Sequence, residues 1–303
     1  MLRDIYNCLR NFLVSQSNIG HFERIKDWEN IEKKKLEEIF ETQDFIKDEI
    51  VRYTNYYFSE FILSKKLIVL DVGCSLGSLS FAFKDIADFV LGIDIEKEAI
   101  ECANLYRAYK NYTNIEFIVD DAITFEKTKK LNKKFNLILL KDILEHIKNK
   151  ENLKFSIKNL TELMQDETIV FIEVPNYIFP FEPHLKIPIL PLLPKRLLKV
   201  EAKLLRKIKN PVDENFVEYL NIVSPFYIEK ALKKFGFRCF NPVEDIKLKE
   251  IFSGKRKLSN RFRFAENFVH FLCKLKLNSA IEDIVKKLKL YPTLQLLCLW
   301  KTN

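Results

Sequence analysis

Between residues 67 and 175 the chain repeats a pattern that few folds accommodate: a short apolar run, an amphipathic stretch, then another apolar run. The runs are LIVLDVG (67–73), FVLGIDI (89–95), IEFIVDD (115–121), FNLILL (135–140) and TIVFIEVP (168–175). Most are apolar at consecutive positions rather than alternate ones, so both faces of each strand must be covered. This predicts a parallel sheet flanked by helices. SLSFAFKDI, EKEAIECANLYRAYKN and residues 148–165 have the spacing of the covering helices. Such a sheet takes its ligands at the carboxyl ends of its strands, where strand order reverses.

Residues 1–65 place Leu36, Ile39 and Phe40, then Ile46, Ile50, Tyr53, Tyr57 and Phe61, at helical spacing, and are expected to be helices preceding the core. Six of the ten prolines (175, 180, 183, 188, 191, 194) fall within twenty positions and mark a non-helical excursion after the fifth run. IEKALKKFGFRCF then reads as a helix turned by Gly236 into a strand, and the terminal LYPTLQLLCLW as one more strand after Pro292. Residues 243–290 between them are charged and predicted helical. The expectation is an α/β chain with a seven-stranded, mostly parallel sheet and helices on both faces. Its parts are an N-terminal helical segment (1–65) and a main domain (66–303), with a cap insertion at about 177–224 and a helical insertion at about 243–290.

With 303 residues, 48% of them hydrophobic and 30% charged, the chain is large enough to bury a core without staples. No window approaches eighteen consecutive apolar residues, and Asn7, Arg10 and Asn11 interrupt the apolar stretch at the start. A spanning helix and a secretory signal are therefore not expected, and a cytoplasmic location is. The six cysteines (8, 74, 102, 239, 273, 298) form no C-x-x-C pair and read as reduced, buried thiols. A net charge of +8 permits an anionic partner without choosing one.

The loop-shaping residues point to the chemistry. Three of the six glycines (73, 77, 92) fall within twenty positions. Leu70-Asp71-Val72-Gly73-Cys74-Ser75-Leu76-Gly77 is a strand ending in a carboxylate, two glycines four apart, and the start of a helix. This resembles motif I of the class I S-adenosylmethionine-dependent methyltransferases, with Ser75 where a glycine is usual. A dinucleotide would set its pyrophosphate near Asp71 and be repelled, whereas a sulfonium and an ammonium would be attracted. Asp94 closes the next strand 23 residues later, where a carboxylate can accept both ribose hydroxyls. Asp121 closes the third, and the resemblance gives it the adenine amino group. The same resemblance implies a Rossmann-like fold, a methionine pocket shaped by Gly73, Ser75 and Gly77, and S-adenosylmethionine as cofactor. Asp71, Cys74, Ile95 and Ala122 complete the expected cofactor-binding set.

After the fourth strand, Lys141-Asp142-Ile143-Leu144-Glu145-His146 is similar to the "LEH" signature of the small-molecule, ubiquinone-biosynthesis-like branch of that superfamily. Val174-Pro175-Asn176 through Glu182-Pro183-His184 to Pro194 is similar to the start of a substrate cap in prokaryotic methyltransferases. His146, and more weakly His184, are candidate general bases for an acceptor hydroxyl. Asp142, Glu145 and His146 would share a face if helical, but no metal is expected. The Tyr106-x-x-x-Lys110 pair of a short-chain dehydrogenase occurs too early in the order of elements and reads as solvated surface. No [DNS]-P-P-[YFW] motif follows strand four, which disfavours amino methylation of DNA or RNA bases. Residues 195–209 carry seven Lys or Arg against one Glu on an amphipathic pattern, so 187–209 is either a cap over the site or a peripheral contact with an anionic membrane. The reading is an enzyme that moves a methyl group to a small-molecule or lipid- or sugar-linked acceptor, with oxygen as the expected atom. An RNA methyltransferase and a non-catalytic cofactor-binding protein are the alternatives.

Overall fold

Strand and helix alternate from Ile68 onward in the computed structural model, which describes residues 2–17, 33–59, 66–176, 178–179, 224–253, 255 and 278–301, with single positions 197 and 200. Three helices come first: α1 (Leu2–Ser17), α2 (Lys33–Phe40) and α3 (Asp44–Phe58). The core then runs β1 (Ile68–Val72), α4 (Ser78–Ala82), β2 (Phe89–Asp94), α5 (Lys97–Lys110), β3 (Ile115–Val119), α6 (Glu126–Lys130), β4 (Phe135–Lys141), α7 (Lys150–Thr161) and β5 (Met164–Pro175). It closes with α8 (Pro225–Lys234), β6 (Phe237–Phe240), α9 (Leu248–Phe252), α10 (Asn278–Lys287) and β7 (Thr293–Trp300).

The seven strands form one sheet in the order β3-β2-β1-β4-β5-β7-β6. β1 pairs in parallel with β2 and β4, as do β2 with β3 and β4 with β5, while β7 is antiparallel to both β5 and β6. This is the expected α/β, Rossmann-like arrangement. The predicted cap (177–224) lies outside the described residues except at 178, 179, 197, 200 and 224, as do 254 and 256–277 of the second insertion.

β1 starts where it does because two polar side chains hold its first residues. Asp88 Oδ2 accepts from the N–H of Leu67 at 2.8 Å, and Asn136 Oδ1 accepts from that of Ile68 at 2.8 Å. Beyond this point β1 is buried on both faces. Leu70 and Val72 belong to the core that also holds Leu153, Ile157 and Leu160 of α7 and buried apolar residues of α8; Val69 belongs to the one on the opposite side, with Ala99, Ala103 and Tyr106 of α5. Ile5, Leu9 and Phe12 of α1 join that second core, so the N-terminal helices cover one sheet face through α5.

Three expectations are corrected here. Tyr106 is fully buried rather than solvated: its ring stacks on Phe40 at 4.1 Å and its hydroxyl donates to Glu41 at 2.8 Å, while Lys110 pairs with Glu37 at 2.7 Å. The cysteines are not all separate thiols, because Cys8 of α1 and Cys102 of α5 form a disulfide. β5 begins at Met164, four residues before the apolar run. Its start sits beside a register shift against β4 between Phe135 and Leu137, which polar residues 165–167 disguise in sequence.

Glu41 ties α2 to the core. Burial alone would raise its pKa, but hydrogen bonds from Tyr106 and Tyr112 and the Lys84 ammonium at 3.3 Å outweigh it and hold the carboxyl low. Because the folded pKa is depressed, this contribution is present above the ordinary carboxylate range and is lost as pH falls through the folded value. Glu41→Gln should therefore cost about 1–3 kcal/mol at neutral pH in urea denaturation and converge on the wild type in acid. Equal stabilities at neutral pH would contradict this account of α2.

Candidate functional site at the carboxyl ends of β1, β2 and β4

Chain order reverses between β1 and β4, the switch point outside the carboxyl ends of the strands where a sheet of this kind forms its ligand crevice. The backbone leaving β1 takes left-handed φ at Gly73 (73°), Ser75 (48°) and Gly77 (80°). That path is pinned to the end of β2. The N–H groups of Gly73 and Cys74 both donate to the carbonyl of Ile93, at 2.8 and 3.0 Å. The N–H of Ser75 donates to Asp94 Oδ2 at 2.8 Å, and that of Glu96 to Asp94 Oδ1 at 2.9 Å. A left-handed non-glycine residue costs about 1–2 kcal/mol, and the charge-assisted bond to Asp94 offsets that cost at Ser75.

Beneath the loop, Asp71 is 2% exposed and its Oδ2 accepts from Ser80 Oγ at 2.6 Å, which fastens α4 to β1. Burial pushes its carboxyl up to about 6. Cys74 is also buried, and burial holds its thiol well above its ordinary pKa. The missing side chains of Gly77 and Gly92 make room for a protein group: a Cβ on either would come within 2.5 Å of the Phe117 ring. These two glycines let β3 pack up against the loop.

At the end of β3, Asp120 is structural, its Oδ2 accepting from Thr128 N–H and Oγ1 at 2.7 Å each to hold α6. Its neighbour Asp121 accepts from the N–H of Ile123 at 2.7 Å through Oδ1, and Oδ2 takes no hydrogen-bond partner among the described residues. Ile95, beside Asp94, is 69% exposed, and Ala122 is half-buried. Asp94, Asp121 and Ile95 thus stand at adjacent strand ends in register, as their spacing implied.

β4 ends in a charged network that the sequence reading missed. Lys141 pairs with Asp142 and, at 3.4 Å, with Glu173 of β5, and Glu173 in turn accepts from Gln295 Nε2 of β7. Asp142 sits at φ 54° outside the following 3-10 turn (Leu144–His146), so Asp142, Glu145 and His146 do not share a helical face. Among the described residues no group of three or more His, Cys, Asp or Glu could hold a metal ion. The turn sends the two neighbours opposite ways. His146 is exposed, whereas Glu145 is 3% exposed and neither of its carboxylate oxygens is hydrogen-bonded among the described residues. Burial, then the charge of Asp142, pushes Glu145 up to about 8. His184 lies outside the described residues. The available signal was a charge inside a run apolar on both faces, as at Glu173, and a Glu between Leu144 and Ile147, both buried.

The acceptor set at these strand ends is acidic: Asp94 and Asp121 can accept from hydroxyl and amino groups. It fits a cationic ligand rich in donors and would repel a pyrophosphate.

A doubly wound sheet with a glycine loop and a carboxylate at each of the first strand ends defines the Rossmann-like methyltransferase class. Residues 63–214, half of the chain, match the family model described as a methyltransferase domain. The chain belongs to the class I S-adenosylmethionine-dependent methyltransferase family. It is 32% identical over 132 residues to the ubiquinone biosynthesis O-methyltransferase of Pelagibacter ubique (strain HTCC1062), covering 44% of this chain and 51% of that one. The protein of the same description from Glaesserella parasuis serovar 5 (strain SH0165) is 32% identical over 115 residues, covering 36% and 45%. The chain therefore spans about half the length of these curated relatives. Among solved structures, magnesium protoporphyrin IX methyltransferase of Synechocystis PCC 6803 aligns at 16% identity over 86% of this chain and 84% of its own, with a TM-score of 0.47.

The Glu145 carboxyl makes a directional prediction. Its folded pKa lies above the ordinary value of 4.5, so between that pH and about 8 the folded state holds the extra proton and stability falls as pH rises. Glu145→Gln should remove this slope and stabilise the protein at pH above 8 by up to about 4 kcal/mol, with little effect near pH 4. Parallel stability–pH curves for the two proteins in urea denaturation would contradict it.

Proposed function

We propose that the chain binds S-adenosylmethionine in the crevice between β1 and β4 and transfers its methyl group to a small-molecule or lipid- or sugar-linked acceptor, at oxygen. The observation that carries the reading is the Asp94 carboxylate, which organises the glycine loop while standing half-exposed at the end of β2. Its oxygens keep lone pairs for the two ribose hydroxyls. Asp121 Oδ2 would accept from the adenine amino group, with Ile95 and Ala122 against the base. Gly73, Cys74, Ser75 and Gly77 would line the methionine portion, and Asp71, fixed through Ser80, supports the loop from below.

The cofactor supplies an electrophilic methyl group on a sulfonium. The chain's own work is to hold the acceptor oxygen in line with it and to keep water out, because a methyl displacement gains chiefly from positioning. Lys141, held by Asp142 and Glu173 at the end of β4, borders the acceptor side of the crevice, and His146 at the same edge is the proposed base for an acceptor hydroxyl. His184 and residues 187–209 belong to the proposed cap, whose basic face would also allow peripheral contact with an anionic membrane in the cytoplasm. No helix among the described residues is long and apolar enough to cross a membrane. The curated relatives' description as O-methyltransferases supports transfer to oxygen.

Titration calorimetry tests the cofactor assignment. S-adenosylmethionine and S-adenosylhomocysteine should bind and NAD should not, and Asp94→Ala should weaken binding by about 1–3 kcal/mol through lost charged-group hydrogen bonds. Incubation with methyl-labelled cofactor and fractionated cell extract should put label in small-molecule, lipid or sugar fractions. Label confined to RNA, or tight NAD binding, would contradict the proposal.

A further inference from the structure

The sheet brings together two cysteines that the sequence keeps 59 positions apart. Cys239 of β6 and Cys298 of β7 are direct register partners in the antiparallel pair, and their Sγ atoms lie 2.9 Å apart. Both are free thiols, and both side chains already face the same way. Opposed residues on antiparallel strands have Cβ atoms about 4.5–5.5 Å apart, against about 3.5–4.5 Å across a disulfide, so a small local adjustment suffices for a bond. The two thiols also differ in access. Cys298 is fully buried, and burial followed by its neighbour Cys239 pushes its thiol well above the ordinary range; Cys239 is only partly covered, on the edge strand of the sheet.

We propose that Cys239 and Cys298 are a reversible dithiol–disulfide couple, oxidised by a low-molecular-weight disulfide, that cross-links the edge strand β6 to β7. The difference in access sets the order of events. The Cys239 thiolate attacks one sulfur of the oxidant; the oxidant's S–S bond breaks, one small thiolate leaves, and a mixed disulfide forms on Cys239. Cys298 then gives up its proton, its sulfur attacks the Cys239 sulfur from within the sheet, and the second small thiolate is expelled. Two protein thiols are oxidised and one small disulfide is reduced to two thiols, which balances hydrogens and electrons. The burial that makes Cys298 a poor first nucleophile does not prevent this second step, because its partner sulfur is already in contact.

The cross-link would close the loop holding α9, α10 and residues 256–277, so it fastens the second insertion to the sheet. Its effect on the unfolded chain should raise the thermal midpoint. β1 and β2 are separated from β6 by β4, β5 and β7, so the cofactor crevice lies far from the couple. Cys74, buried under the glycine loop, takes no part.

The test starts from full-length protein reduced with a dithiol, desalted and incubated folded with oxidised glutathione. Non-reducing peptide mapping should then find residue 239 linked to residue 298, with no glutathione retained there and Cys74 unmodified. Oxidation should raise the melting temperature of the wild-type protein further than that of Cys239→Ser treated in the same way, which cancels any reclosure of Cys8–Cys102, and leave S-adenosylhomocysteine affinity within about twofold. Cys239→Ser should leave Cys298 unmodified, whereas Cys298→Ser should trap glutathione on Cys239. Glutathione persisting on Cys239 of the wild-type protein, no reaction of either thiol in the folded state, or a link formed only after denaturation would overturn the proposal.

Discussion

Two backbone N–H groups converging on the Asp94 carboxylate are the interaction on which the rest of the site depends. Ser75 N–H arrives from the turn after β1, and Glu96 N–H from the entry to α5. Without that carboxylate the left-handed conformation at Ser75 would lose its compensation, and the turn would have no fixed position relative to β2. With it, three successive strand ends stand in one line, and the helices after β1 and β2 start from a common anchor. The hydrogen bond from Ser80 to Asp71 performs the matching task below the sheet edge, joining α4 to β1 at a buried position. A buried carboxylate and a half-exposed one, on neighbouring strands, thus divide the work between holding the scaffold and facing the crevice.

The glycines serve packing as much as conformation. Phe117 fills the space left by Gly77 and Gly92 and makes aromatic contact with Phe81, which meets Tyr106 and, through it, Phe40 of α2. The glycine loop is therefore supported from behind by a continuous aromatic column reaching to the N-terminal helices. The Cys8–Cys102 disulfide and the Glu41 hydrogen bonds fasten the same helices to α5. The N-terminal segment is part of the structural backing of the crevice, not an appendage to it.

The sheet, the strand boundaries from β1 to β4 and the acidic strand ends were legible because each rests on local pattern. Buried parallel strands write apolar runs, and turns at their carboxyl ends write Gly and Asp. What escaped depends on contacts between distant residues. Tyr106 looked like surface because its partners Phe40 and Glu41 lie more than sixty positions away. The "LEH" stretch reads as one helical face, yet a left-handed Asp142 and a tight turn put Glu145 inside and His146 outside, which no periodicity reveals. Pairing of Cys8 with Cys102, and of Cys239 with Cys298, follows from helix docking and strand register rather than from spacing.

The central claim is that one ligand engages the ends of β1, β2 and β3 together, and amide hydrogen exchange with and without S-adenosylhomocysteine tests it directly. The account predicts added protection at residues 73–77, 94–96 and 121–123, where N–H groups and carboxylates converge, and none in β6 or β7. Protection limited to one of these strand ends, or appearing only outside the crevice, would contradict it.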